Sequence, residues 1–268
     1  MHSKFTMAKK YIAYYLKAKK LHGIHSPFVY NFMERVLYKK NDATLFNAVE
    51  LKRKELLNNK EIITIEDLGA GSKNKKGNKR SISYIANTSL KPIKWARLLY
   101  NINFYFKPNI SIELGTSLGI TTSYMALAMP INSKLYTIEG SEAIHNKANE
   151  IFVALQLKNL YSYLGNFDNE LPKLLQTLKN NNNKIDILYI DGNHQYAPTI
   201  SYFLQALTLC NNNSIIIFDD IHWSKSMEAA WQFAKQHEAV TLTIDLFFIG
   251  IVFLRKEQQQ KEHFVLKY

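Results

Sequence analysis

From Asn109 onward, apolar runs of strand length alternate with amphipathic runs of helix length, and this alternation restricts the fold more than any other feature. ISIELG is followed by GITTSYMALAMP, KLYTIEG by SEAIHNKANEIFVALQL, LYSYLG by NELPKLLQTLK, IDILYIDG by APTISYFLQALTLC, and SIIIFDD by SKSMEAAWQFAKQ. Five such units predict a parallel sheet with helices on both faces. AVTLTI and FFIGIVFLR follow with almost no linker, so they are expected to pair as an antiparallel hairpin. The stretch KEQQQKEH after Arg255 reads as a surface helix or a frayed end.

The front of the chain has another character. Residues 1–108 carry 22 Lys/Arg and 7 Asp/Glu, whereas 109–268 carry 12 and 15, so the net +12 is concentrated at the front. Helices are expected over 6–20, 27–38 and 44–58, and again over 82–106 with an interruption at Pro92. The organisation read from this is a basic, mainly helical extension over 1–107, serving as a cap, a lid or the substrate side, followed by a catalytic domain over 108–268. No run reaches the length of a transmembrane helix and no secretory signal is recognisable, so a cytoplasmic location is expected. The single cysteine, Cys210, lies in an apolar stretch and reads as a small core residue, not a nucleophile.

In an open parallel sheet, ligands bind at the carboxyl ends of strands. The first such end is Glu113-Leu-Gly115-Thr116-Ser117-Leu-Gly119, where glycines permit a tight turn and a close approach of backbone to ligand at a helix N-terminus. The second carries Glu139 and Gly140; Glu139 lies 24 positions after Gly115, a distance that suits an acid accepting ribose hydroxyls. The third ends in Asn166-Phe167, an amide for an adenine edge and a ring for its face, although Gly-Asn is also ordinary turn chemistry. The fourth, Tyr189-Ile-Asp191-Gly-Asn-His194, sets a carboxylate and an imidazole three residues apart. The fifth ends in Asp219-Asp220-Ile-His222-Trp223. Two adjacent carboxylates after an apolar strand are costly without a positive partner. Asp191, Asp219 and Asp220 are therefore expected to converge on a divalent cation, with Mg2+ as the candidate. The plainer alternative is helix capping by Asp220 and loop hydrogen bonds by Asp219.

Together ELGTSLG, YTIEG, YIDGNHQY and IIIFDDIHW, in this order and spacing, resemble the class I S-adenosylmethionine-dependent methyltransferases. Within them the chain is most similar to the metal-dependent O-methyltransferases of the catechol and macrolide-sugar type. The resemblance covers about 108–254. It implies a Rossmann-like α/β fold with a mostly parallel seven-stranded sheet and an antiparallel last strand. It also implies Glu113 and Gly115 at the methionine end of the cofactor and Glu139 at its ribose. Asp191, Asp219 and Asp220 would be the metal ligands, and His194 would stand where the sugar-modifying members carry a general base. Asp191 and His194 are thus the expected catalytic residues. The cofactor set is Glu113, Gly115, Thr116, Ser117, Gly119, Glu139, Gly140, Asn166, Phe167 and Asp191. The catechol-type pattern has Asp-Asn where this chain has Asp219-Asp220, and its lysine near the fourth strand has no counterpart, so a catechol acceptor is not expected. The HGIHSPFVY stretch resembles the start of uncharacterised bacterial members and adds no function.

The expected reaction is S-adenosylmethionine-dependent methylation of a small-molecule hydroxyl, with Mg2+ assistance, an anionic acceptor and a homodimer all left open. Two alternatives stand beside it. One is an RNA or nucleotide methyltransferase using the basic front, disfavoured because no RNA-binding module is recognisable. The other is a non-catalytic binding or membrane-surface protein, in which Tyr11 to Lys20 lies on anionic lipid. A nicotinamide-linked dehydrogenase is disfavoured by the closing hairpin and the paired aspartates. A second glycine turn, Glu66-Asp67-Leu-Gly69-Ala-Gly71, leads into the lysine-rich run 73–80 instead of an apolar helix, and reads as a lid or substrate-side element.

Overall fold

The computed structural model describes residues 2–65, 78–257 and 260–268. In chain order its elements are α1 (Lys4–Lys17), α2 (Pro27–Phe32), α3 (Asn47–Asn58), β1 (Ile62–Thr64), β2 (Lys79–Ser81), α4 (Ile82–Ser89), α5 (Ile93–Phe106), β3 (Ile110–Leu114), α6 (Ile120–Ala128), β4 (Lys134–Glu139), α7 (Glu142–Ala154), β5 (Leu160–Leu164), α8 (Phe167–Asn180), β6 (Ile185–Ile190), α9 (Tyr196–Leu207), β7 (Cys210–Asp219), α10 (Lys225–Gln236), β8 (Leu242–Asp245), β9 (Ile249–Phe253) and β10 (Glu262–Val265). They form two compact units, one of residues 1–34 and 171–268, the other of residues 35–170.

In the unit of residues 35–170, β3, β4 and β5 pair in parallel, with Ile112 opposite Tyr136 and Tyr136 opposite Tyr161. β3 is buried along its whole length, as expected of a parallel strand covered on both faces. α3, α4, α5 and α6 enclose one apolar cluster, in which Phe46 stacks on Tyr124 at 4.7 Å and meets Tyr100 edge-on at 4.9 Å. Pro92, lacking a backbone N–H, separates α4 from α5. β1 and β2 make a short antiparallel pair. The Glu66–Gly71 turn expected between them, and residues 73–77 of the basic run, lie outside the described residues.

In the unit of residues 1–34 and 171–268, β6 pairs with β7 in parallel, β7 with β9 antiparallel and β9 with β8 antiparallel. β7 holds the apolar run Ile215–Phe218, buried on both faces, and ends on Asp219. Gly250 in β9 lets Trp231 of α10 lie against the strand: a Cβ there would come within 2.8 Å of the indole. Phe218, the partner of Gly250 in the pairing, packs on the same side against both Phe203 and Trp231.

The α/β fold with mainly parallel strands is as expected. The seven anticipated strands are β3 to β9, with β9 the antiparallel one and β8–β9 the closing hairpin. The end of the chain differs. Residues 262–265 are a strand, β10, parallel to β8, where a surface helix or frayed end was expected. The signal is short, the two strand-favouring residues Phe264 and Val265, with Phe264 opposite Ile244. The lysine- and glutamine-rich residues before it mask that short signal.

Candidate functional site

Within the unit of residues 35–170, the carboxyl ends of β3, β4 and β5 are tied to one another by main-chain hydrogen bonds. Gly115 N–H donates to the Ile138 carbonyl at 3.1 Å, and Gly165 N–H to the Glu139 carbonyl at 2.9 Å. The turn after β3 requires left-handed backbone at Gly115 (φ 107°), Ser117 (φ 48°) and Gly119 (φ 77°). Gly119 has a second constraint, because a Cβ there would stand 2.6 Å from the Phe152 ring of α7. Its glycine thus serves packing of α6 against α7, and not only approach to a ligand.

Glu139 closes this turn. One carboxylate oxygen accepts from Ser117 N–H at 2.8 Å and the other from Ser141 N–H at 3.0 Å. Burial raises its pKa, and these backbone donors oppose the rise. Gly140, between Glu139 and Ser141, is half-buried at the same strand end. A carboxylate oxygen accepts more than one hydrogen bond, so both keep capacity for a ligand hydroxyl. Thr116 Oγ1 lies 2.5 Å from Thr137 Oγ1 behind the turn. Asn166 Oδ1 accepts from Asp168 N–H at 2.9 Å and caps α8. Phe167 follows, half-buried.

Glu113 is fully buried in β3. Its Oε2 accepts from Thr122 at 2.5 Å and Thr137 at 2.7 Å, whereas Oε1 has no hydrogen-bond partner among the described residues. Burial pushes its pKa up to about 7, against the two hydroxyl bonds that lower it. A buried acceptor left open is costly, and a cationic ligand group is the partner that would relieve it.

The unit of residues 1–34 and 171–268 carries the second group. Asp191, His194 and Asp219 each offer a ligand atom, and these atoms lie within 4.8 Å of one another. The pairing explains why: Ile190 is opposite Phe218, so the next residues, Asp191 and Asp219, leave adjacent strand ends side by side. Tyr189, fully buried two residues before Asp191, donates to Asp191 Oδ2 at 2.9 Å and stands 3.4 Å from Asp219 Oδ1. His194 Nε2 is 3.9 Å from Asp191 Oδ1. The loop that carries it is strained, with φ 62° at Asn193 and φ 21° at His194. Asn193 Nδ2 donates to Tyr202 at 3.3 Å.

Of the expected trio, the structure brings together Asp191 and Asp219, but Asp220 is not in the cluster. Successive residues of a strand point to opposite faces, and Asp220 turns out of β7 in left-handed backbone (φ 54°). His194 takes the third place. Two oxygen donors with one imidazole suit a divalent cation, and the imidazole shifts the preference from Mg2+ toward Mn2+, Fe2+ or Zn2+.

The same unit holds a cleft of about 520 Å3. It is lined by Lys10 and Tyr14 of α1, by His222, Glu228 and Trp231, and by Asp245 at the end of β8. His222 Nε2 meets Asp245 Oδ2 at 2.8 Å, and Lys10 Nζ meets Glu228 Oε1 at 2.6 Å. Asp219 and Asp245 are opposite Ile249 and Gly250 of β9, so the cleft opens at the same carboxyl edge as the Asp191 cluster. Cys210 is no nucleophile: burial pushes its thiol up to about 12.

Residues 112–221 match a family model described as a methyltransferase domain. Solved structures share the fold over most of their length. An O-methyltransferase from Bacillus cereus in complex with SAH is 17% identical with a TM-score of 0.54, covering 84% of this chain and 97% of that one. TomG, an O-methyltransferase from Streptomyces achromogenes in complex with SAM, is 15% identical with a TM-score of 0.55, covering 84% and 94%. PaMTH1, a methyltransferase from Podospora anserina bound to SAH, is 11% identical with a TM-score of 0.59, covering 87% and 97%. Among curated proteins, the uncharacterized protein R132 of Acanthamoeba polyphaga mimivirus is 34% identical over 102 residues, which are 37% of this chain and 38% of that protein's length.

Proposed function

We propose that this protein transfers a methyl group from S-adenosylmethionine to a hydroxyl oxygen of a small-molecule acceptor, with a divalent cation held by Asp191, Asp219 and His194. The observation that carries this reading is the Asp191–His194–Asp219 cluster, fixed from below by the buried Tyr189 hydroxyl. The O-methyltransferases named above, seen with SAH or SAM, support the same cofactor here.

In this reading Glu139 accepts the ribose hydroxyls while it holds the Ser117 amide, which makes the turn and the ribose site one structure. Glu113 Oε1 takes the ammonium of the methionine part. Asn166 Nδ2 and the Phe167 ring take the edge and face of the adenine. The small residues Gly115, Thr116, Ser117 and Gly119, with Gly140, let the backbone approach the cofactor closely. When bound, S-adenosylmethionine supplies a sulfonium whose S–CH3 bond breaks as the O–CH3 bond forms, leaving the electron pair on sulfur. When bound, a divalent cation lowers the pKa of the acceptor hydroxyl. Ligation uses the one basic lone pair of a neutral imidazole, so with a cation bound the hydroxyl proton would pass to water, and without a cation His194 itself would take it up, as an imidazole is suited to do near neutral pH. Tyr189 holds both carboxylates in place. The 520 Å3 cleft, walled in part by α1, supports an acceptor-side role for the N-terminal segment.

Calorimetric titration with S-adenosylhomocysteine, and separately with Mg2+ and Mn2+, tests this on the wild type and on Asp219→Ala. Micromolar product binding that survives the substitution, with cation binding that does not, is expected. Product binding without any cation effect would remove the metal and leave His194 alone as proton acceptor. Absence of product binding would sink the reading.

A further inference from the structure

We propose that the outer face of α1 docks the protein onto anionic lipid membrane surfaces. The inner face of α1 is committed to its own unit. Tyr14 and Ala18 are buried against Phe247, the Tyr14 hydroxyl donates to the Leu266 carbonyl, and Lys10 pairs with Glu228 at 2.6 Å. His2 N–H donates to the Trp223 carbonyl at 2.9 Å, and Lys19 N–H to the Val265 carbonyl at 2.8 Å, so both ends of the helix are fastened.

On the opposite face the pattern of a water-facing helix is inverted. Phe5 is 69% exposed, Ile12 59% and Leu16 80%. Spacings of seven and four place the three on one ridge, since each residue turns the helix by about 100°. Tyr11 and Tyr15, both exposed, lie along its flank. The charge that the helix itself carries has one sign. Lys4, Lys9, Lys10, Lys17, Lys19 and Lys20 precede any acid in the chain, the first being Glu34, and the first arginine is Arg35. Lys9 Nζ stands 4.6 Å from the Phe5 ring centroid, and Lys267 Nζ 3.7 Å from that of Tyr15, so the ammonium groups rim the apolar ridge. Among the described residues no helix is long and apolar enough to cross a membrane. An apolar ridge rimmed by lysines instead fits a helix lying in the headgroup plane of an anionic bilayer, where apolar burial and electrostatic attraction add.

The same features argue against other occupants. A second copy would bring lysine cluster against lysine cluster. RNA would need ring faces open for stacking, whereas Lys9 lies over Phe5, Lys267 lies over Tyr15, and Tyr11 packs with Phe247 at 5.0 Å.

Flotation of the full chain with vesicles tests the proposal. The wild type is expected to float with phosphatidylcholine vesicles containing phosphatidylglycerol and to stay behind with phosphatidylcholine alone. Ile12→Gln with Leu16→Gln should weaken binding roughly a hundredfold, and Lys4→Ser with Lys9→Ser roughly twentyfold. All these side chains are exposed, so both variants should keep the wild-type melting temperature. Three results would overturn it: no flotation of the wild type, flotation unaffected by the glutamines, or an RNA gel shift or a dimer in sedimentation that accounts for the ridge instead.

Discussion

Replacing Glu113 by glutamine separates what this carboxyl does for the cofactor from what it costs the fold. In the folded chain burial pushes its pKa up to about 7, whereas a free glutamate titrates at 4.5. Below pH 4.5 it is protonated in both states and exerts no pH-linked effect. As pH rises from 4.5 to about 7 the unfolded chain loses the proton and the folded chain keeps it, so stability falls. Above about 7 both forms are ionised and the loss is complete. A shift of this size corresponds to about 3 kcal/mol. Glu113→Gln removes the titrating group and keeps the shape and an acceptor for Thr122 and Thr137. The difference in unfolding free energy, variant minus wild type, should therefore grow by about 3 kcal/mol between pH 4.5 and 8, whatever its offset. Urea denaturation across that range measures it. Parallel curves for the two proteins would refute the argument that Glu113 is an unrelieved buried acid. Binding offers an independent check. If Oε1 receives the ammonium of S-adenosylhomocysteine, Glu113 must ionise on binding, and at pH 6 up to one proton is released. Calorimetry in buffers of different ionisation enthalpy reads that number, and zero would remove Glu113 from the cofactor site while leaving the stability argument intact.

Two further outcomes follow from the turn after β3. Gly119→Ala places a Cβ 2.6 Å from the Phe152 ring at φ 77°, so left-handed strain and overpacking together should cost about 3 kcal/mol. Adding Phe152→Leu should recover only the packing share; full recovery in thermal melts would mean that the backbone is not strained. Glu139→Gln weakens the bond to Ser117 N–H and the ribose contacts, and S-adenosylhomocysteine affinity should fall about tenfold or more, as loss of charge-assisted hydrogen bonds does. An unchanged dissociation constant would place the ribose elsewhere.

The parts of this protein that were legible in its sequence are those decided locally. A strand of four consecutive apolar residues such as Ile215–Phe218 has nowhere to lie but inside a sheet, and the alternation of such runs with amphipathic helices names the fold class. Period-two alternation likewise puts Tyr189 and Asp191 on one side at the end of β6, so the hydroxyl that donates to Asp191 is legible from spacing alone. The Asp191–His194–Asp219 cluster was less legible, because it depends on where a chain turns after its strand. Asp219 and Asp220 are equivalent as letters. Only the left-handed backbone at Asp220 separates them, and only the strained pair Asn193–His194 brings an imidazole into the vacated place. The cleft residues Lys10, His222 and Asp245 lie in three distant segments, and no spacing rule links them. The outward ridge of α1 was half legible. Its apolar periodicity identifies a helix, but the same stripe of Tyr11, Ile12, Tyr15 and Leu16 looks like a core face until the structure turns Tyr14 inward and leaves those four in water. A helix that keeps its apolar ridge outside has declined the burial that ordinarily fixes its orientation. Its inner anchoring through Tyr14, Ala18 and Lys10 must then hold it without that contribution, which is the expected arrangement when the ridge is reserved for a surface outside the chain.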